Sequence, residues 1–178
     1  MRLTTGLVVS LLSICVHAET RHAGTHVHGL NHVQIVLDGT TLQVNYEFPI
    51  AQLQEHDEHK HDGYKNDQSS NLSETEVKDK VGISELIRLP EDAECVEINT
   101  VYFVRNAVAD GRSTEESGHK DVVIEATMKC EQPGKVISLD FAPAFNKFDD
   151  LEKIEVEGMI GNRPLSETLS RKRASTSI

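Results

Sequence analysis

Hydrophobic and polar residues alternate along much of this chain, as they do in strands that bury one face. The first alternating segment begins at His26. A second follows Asp38-Gly39, a dipeptide that favours a two-residue hairpin turn. The apolar positions of the two segments are Val27, Val33, Ile35, Leu37, Leu42, Val44, Tyr46 and Phe48. Since Pro49 ends the pattern, we predict a β-hairpin at this end of the chain.

The turn also predicts the register of this hairpin, because a turn made of Asp38-Gly39 pairs Leu37 with Thr40. The pairs that follow are Ile35 with Leu42, Val33 with Val44, His32 with Asn45, and Leu30 with Glu47. In this register His28, His32 and Glu47 share the polar face, and Glu47 lies diagonal to both histidines.

One principal helix is expected at residues 73–89, where Ser73 and Glu76 have the spacing of a capping box and Pro90 follows the end. Gly82 is a candidate break within it. Further strands are predicted at 95–104, 122–130, 137–141, 154–158 and 164–169, with a short helical or irregular piece at 143–151.

The expected fold is therefore α+β, with a largely antiparallel sheet of about six to seven strands built from hairpins, one principal helix and a disulfide. Residues 19–170 fit a single domain, which includes a His/Asp-rich polar loop at 55–72. Residues 107–120 read as a second polar loop. The tail, residues 171–178, is expected to be disordered.

Residues 1–18 have the organisation of a secretory signal peptide. Arg2 gives a positive start, Gly6 to Val16 is apolar, and cleavage is expected after Ala18. Because a membrane-spanning helix needs about 20 apolar residues, we predict an exported protein of the periplasm without a membrane anchor. The net charge of −11 argues against nucleic acid as a partner.

Removal of the signal peptide takes away Cys15 and leaves Cys95 and Cys130. An even pair of cysteines in an exported protein favours a disulfide, which is the prediction here. Two separate thiols, or a pair of metal ligands, are the alternatives.

Histidines give the main clue to chemistry, because seven of the nine fall in two short stretches. They are His22, His26, His28, His32, His56, His59 and His61. Neutral imidazole is a favoured ligand for zinc, and also for copper, nickel and iron. The hairpin histidines His26, His28 and His32, with Glu47, are the predicted zinc site. His22, His56, His59 and His61 are weaker candidates, and the alternative is that all of these residues only cover a solvated surface.

Catalytic motifs are missing from the sequence: it contains no Gly-x-Ser-x-Gly elbow, no His-Glu-x-x-His helix and no Gly-rich phosphate loop. We therefore predict that the protein is not an enzyme. Three functions stay open at this point: a binding protein for metal uptake, a passive metal buffer or chaperone, and a structural or interaction module with incidental histidines.

Several segments resemble the ZrgA-like periplasmic zinc-uptake proteins. They are THVHGLNHVQIVLDGTTLQVNYEFP, Ala93-Glu94-Cys95, His119 and Asp121 leading to Met128-Lys129-Cys130, and FAPAFNKFDDLEKIEVEGMIGNRPLSETL. The resemblance implies a zinc-binding component that works with an ABC-type importer. It matches His26, His28 and His119 to histidines of the family pattern, and Cys95 and Cys130 to its cysteine pair. Family members often carry longer histidine tracts, whereas residues 96–129 here contain only His119.

Overall fold

The structure is a computed structural model that describes residues 29–53, 72–106 and 120–178. The strands in these residues are β1 Leu30–Asp38, β2 Thr41–Pro49, β3 Cys95–Asn106, β4 Lys120–Cys130, β5 Lys153–Ile160 and β6 Arg163–Ser170. The α-helices are α1 Glu74–Lys80 and α2 Ala142–Lys147. Short 3-10 turns occupy Ile50–Leu53, Ile83–Glu85, Glu91–Ala93 and Pro133–Lys135.

The six strands form one sheet in the order β3-β4-β2-β1-β5-β6. Three hairpins, β1–β2, β3–β4 and β5–β6, make up this sheet, which agrees with the expectation of a sheet built from hairpins. The pairing of β3 with β4 is not predicted from the sequence. The sheet is nevertheless mixed, because β1 and β5 run parallel. The broad class, a sheet-dominated α+β fold with few helices, is confirmed.

One face of the sheet packs against the helices and turns to form the hydrophobic core. Val33, Ile35 and Leu37 of β1 are buried on this inner face, together with Val77 of α1 and Phe145 of α2. The core is aliphatic with a few aromatic rings, and Phe48 and Phe148 stack 5.1 Å apart. Side chains at the alternate positions point to the opposite, outer face.

The first hairpin forms with a register that differs by two residues from the predicted one. Leu37 pairs with Leu42 rather than Thr40, and His32 pairs with Glu47 rather than Asn45. The reason lies in the turn, where Gly39 has a φ of +57° and the two turn residues are Gly39 and Thr40 instead of Asp38 and Gly39. Because the shift is two residues, every side chain keeps its predicted face.

The parallel pairing of β5 with β1 was not expected from the sequence. Gly158 lies so close to β1 that a Cβ atom there would come within 1.8 Å of the Ile35 carbonyl oxygen. At the start of the pair, the Gly29 carbonyl accepts hydrogen bonds from the amides of Glu152 and Lys153. Glycine is therefore required where the two backbones approach most closely.

The predicted helix at 73–89 is shorter than expected. The capping box of Ser73 and Glu76 is present, but α1 ends at Lys80, and a separate 3-10 turn follows Gly82. Val81 has an extended backbone, which ends the run of helical hydrogen bonds.

Two predictions for the C-terminal half are wrong. Residues 137–141 do not form a regular strand; Asp140 makes only isolated bridges, to Arg88 and Ser175. The tail at 171–178, expected to be disordered, is ordered along this segment, because the amides of Thr176 and Ile178 donate to the carbonyls of Leu139 and Ile137. Thr176 is buried.

The disulfide prediction is confirmed: Cys95 and Cys130 are bonded, and they face each other where β3 begins and β4 ends.

Candidate metal centre

A row of polar side chains crosses the outer face of the sheet at His32. On one side β2 places Glu47 directly opposite His32, and on the other side β5 places Glu155 in register with it. The histidine therefore stands between carboxylates on both neighbouring strands. Pairing in a sheet holds such side chains on one face at a fixed spacing.

His32 makes a defined contact with Glu155. Its Nδ1 atom lies 3.3 Å from Oε2 of Glu155, and 29% of the histidine side chain is exposed. A carboxylate at Nδ1 orients the ring and leaves Nε2 as the nitrogen for a metal ion. This is the arrangement in which proteins commonly present a histidine ligand.

Glu47 is held from the other direction by Arg105. The Arg105 Nη2 donates to Oε1 of Glu47 at 2.5 Å, although these residues lie on β3 and β2 with β4 between them. Asp121 of β4 pairs with Arg105 in the ladder and is buried. The three residues form one charged group next to His32.

Burial raises the pKa of Asp121 to about 7, and the negative charge of Glu47 and a side-chain hydrogen bond with Glu47 act in the same direction. The positive charge of Arg105 acts against this rise. The carboxyl group of Asp121 is thus partly protonated near neutral pH, which limits the repulsion between two adjacent carboxylates.

The row lies near one end of the sheet. The ladders bring the starts of β1, β4 and β5 to the same end as the last residues of β2, β3 and β6. Residues 1–28 lead into β1, residues 54–71 follow the turn that ends β2, and residues 107–119 join β3 to β4. All three stretches attach to the sheet at this end.

Of the predicted metal ligands, only His32 and Glu47 belong to the described part of the chain, and the structure pairs them across β1 and β2. The others lie outside the described residues: His22, His26, His28, His56, His59, His61 and His119. Within 29–53, 72–106 and 120–178, no three or more His, Cys, Asp or Glu side chains are arranged to hold a metal ion.

Sequence reasoning missed Glu155, Asp121 and Arg105. The alternation of β5 indicates that Glu155 is on a polar face, but the partner of that face follows only from the parallel pairing with β1. Arg105 and Asp121 come from the second hairpin, and the order of the strands decides that they lie beside Glu47.

A family model described as ZrgA family zinc uptake protein matches residues 25–178. The chain belongs to the ZrgA family. The match covers every described strand as well as the positions of His26, His28 and His119, so the resemblance noted in the sequence is confirmed. No curated protein sequence matches the chain.

Membership of the ZrgA family makes zinc uptake the broad role of this protein and assigns it to no known enzyme family. The donors on the outer face agree with this role, since imidazole and carboxylate groups are usual zinc ligands. In the described part of the chain, no helix has the length and apolar character needed to cross a membrane.

Proposed function

We propose that this ZrgA family protein binds Zn²⁺ in the periplasm at the end of the sheet where β1 and β4 begin, and passes it to an ABC-type importer. His32 and Glu47 are the ligands from the described strands. The remaining ligands come from His26, His28 and His119. Zinc is usually four-coordinate, so two of these three are enough to complete the set.

The observation that carries this proposal is that the histidine-containing stretches all join the sheet at the end where His32 lies. Every histidine other than His32 lies in one of three stretches of the chain, and each stretch attaches to the end of the sheet that carries His32, Glu47 and Asp121. His28 is two residues from Leu30, and His119 directly precedes Lys120, the first residue of β4. Because a residue spans at most about 3.6 Å, a short length of chain separates each of these two histidines from the described strands.

The contact between His32 and Glu155 supports the choice of His32 as an anchor. A ligand whose ring is already oriented loses less conformational freedom when the metal binds. The sheet also holds Glu47 opposite it on a strand paired on both sides. Two donors on paired strands provide a base to which further ligands can be added.

His22, His56, His59 and His61 are proposed as weaker ligands that raise the local zinc concentration. His56 is three residues beyond Leu53, and the other members of its group lie farther along the chain. A ligand farther along the chain fixes more backbone residues when it binds a metal at the sheet, at about 1 to 2 kcal/mol per residue. They are expected to add zinc-binding capacity and to leave the tightest site unchanged.

The proposed periplasmic location is supported by the signal-peptide pattern of residues 1–18, with cleavage expected after Ala18, and by the oxidised pair Cys95 and Cys130. The partnership with an ABC-type importer rests on the family's role in uptake. An uptake protein has to release its metal to a transporter, whereas a buffer does not. Growth of a deletion strain with a zinc chelator separates the two: slower growth restored by added zinc supports uptake, and normal growth and zinc content argue against it.

Isothermal titration calorimetry with Zn²⁺ tests the site itself. The double variant His28→Ala/His32→Ala should lose the tightest binding event. The matched triple variant His56→Ala/His59→Ala/His61→Ala should keep that event and bind fewer ions in total. The opposite pattern, in which the triple variant loses the tight event and the double variant keeps it, would contradict the assignment.

A further inference from the structure

Glu47, a ligand of the proposed zinc site, forms an ion pair with Arg105. Glu47 is 27% exposed and Arg105 is 54% exposed, so the guanidinium lies on the solvent side of the partly buried carboxylate. The side chain of Arg105 reaches Glu47 across β4 instead of pairing with a neighbour on its own strand. The hydrogen bond joins Arg105 to Glu47, and the charge of Arg105 also acts on the neighbouring Asp121.

We propose that Arg105 is the counterion of the zinc-free protein, and that zinc displaces it from Glu47. This inference rests on the proposed function, since it requires Glu47 to be a zinc ligand. Zinc and a guanidinium are both cations, and both are attracted to the same carboxylate. Only one of them can lie close to it without repulsion between their charges.

The surroundings of the pair explain why a counterion is needed. Glu47 adjoins Asp121, which is buried, and Glu155 contacts His32 on its other side, so this part of the outer face carries three acidic side chains. Without zinc, a nearby positive charge reduces their mutual repulsion. Arg105 supplies that charge, and its long side chain can rotate away from Glu47 when the metal binds.

The exchange of Arg105 for zinc at Glu47 also affects the release of zinc to a transporter. An arginine that remains attached beside the site competes with zinc at every moment, and it can return to Glu47 when a transporter takes the metal. The protein then gives up part of its affinity for zinc in exchange for ready transfer. An uptake protein benefits from this compromise, whereas a tight store does not.

The test is the zinc affinity of Arg105→Gln, measured by calorimetry on the full mature protein. Glutamine keeps a polar side chain but removes the charge, so zinc should bind about three- to tenfold more tightly. Arg105→Lys retains the charge and should restore an affinity close to that of the wild type. Arg88→Gln is the matched control, because Arg88 pairs with Asp140 away from this row, and it should bind zinc like the wild type.

A double-mutant cycle with Glu47→Gln separates a specific exchange from a general change in charge. Once Glu47 is neutral, Arg105→Gln should no longer tighten binding. The same gain in both backgrounds, or weaker binding by Arg105→Gln alone, would overturn the inference. Unchanged affinity in Arg105→Gln, while His28→Ala/His32→Ala still loses the tight site, overturns the inference and leaves the proposed function intact. A tight site that persists in His28→Ala/His32→Ala overturns both.

Discussion

The nine residues of β1 present very different side chains on the inner and outer faces of the sheet. The inner face carries Val33, Ile35 and Leu37, which are all buried, whereas the outer face carries His32 between Glu47 and Glu155. Burial of the apolar side chains stabilises the sheet, and the sheet then holds the polar groups in position. Stability and zinc binding should therefore respond to different substitutions.

The largest effect on stability is expected at Gly158, where the backbone of β1 leaves no space for a side chain. Replacing Gly158 with valine puts a Cβ atom against the backbone of Ile35, which separates β5 from β1. We expect the free energy of unfolding to fall by more than about 3 kcal/mol, measured by urea denaturation. Gly134→Ala is the control, since a Cβ atom at Gly134 meets nothing within 4 Å. Equal stability of the two variants would show that the parallel pair is not as close as described.

A smaller loss is expected at the edge of the core, where the tail is attached. The Leu139 amide donates to the hydroxyl of Thr176, a residue that is 2% exposed. Thr176→Val keeps the volume but removes the acceptor, and an unsatisfied buried amide costs about 1 to 3 kcal/mol. The exposed neighbour in Ser177→Ala should have little effect on thermal or urea unfolding. If Thr176→Val is as stable as the wild type, the tail contributes less to the core than its hydrogen bonds indicate.

The smallest effect on folding, and the clearest effect on zinc, is expected on the outer face. Glu155→Gln weakens the orientation of His32 without disturbing the core, so zinc affinity should fall about tenfold while the unfolding midpoint is unchanged. Glu157→Gln is the matched control, because Glu157 lies on the same strand and face but pairs with Gln34. Equal losses in the two variants would mean that only general charge matters, and the two faces would then be less independent than proposed.

Local patterns in the sequence were enough to predict much of the fold. The alternation of residues predicts the faces of β1 and β2, the spacing of Ser73 and Glu76 predicts the start of α1, and the cysteine count predicts the disulfide. Each of these features depends on residues close in sequence, or on a count. The register error at Gly39 is also local, and it arises because two adjacent dipeptides both fit a two-residue turn.

Long-range pairing limited the prediction of the site. Glu155 reaches His32 only because β5 runs parallel to β1, across more than a hundred residues of sequence. The tail looks polar and basic in sequence, yet Arg171 donates to the carbonyls of Phe148 and Asp149, and Thr176 is buried. No periodic pattern within either segment encodes these contacts, since the partner lies elsewhere in the chain.

Anomalous diffraction at the zinc edge, from crystals of the zinc-loaded mature protein, tests the central claim most directly. The account predicts a peak about 2.0 to 2.2 Å from Nε2 of His32, with Glu155 still at Nδ1 and Glu47 among the nearest oxygen ligands. Density for Arg105 should then have moved away from Glu47. A fully occupied peak held only by residues of the 54–71 stretch, with His32 still unliganded, would contradict the account.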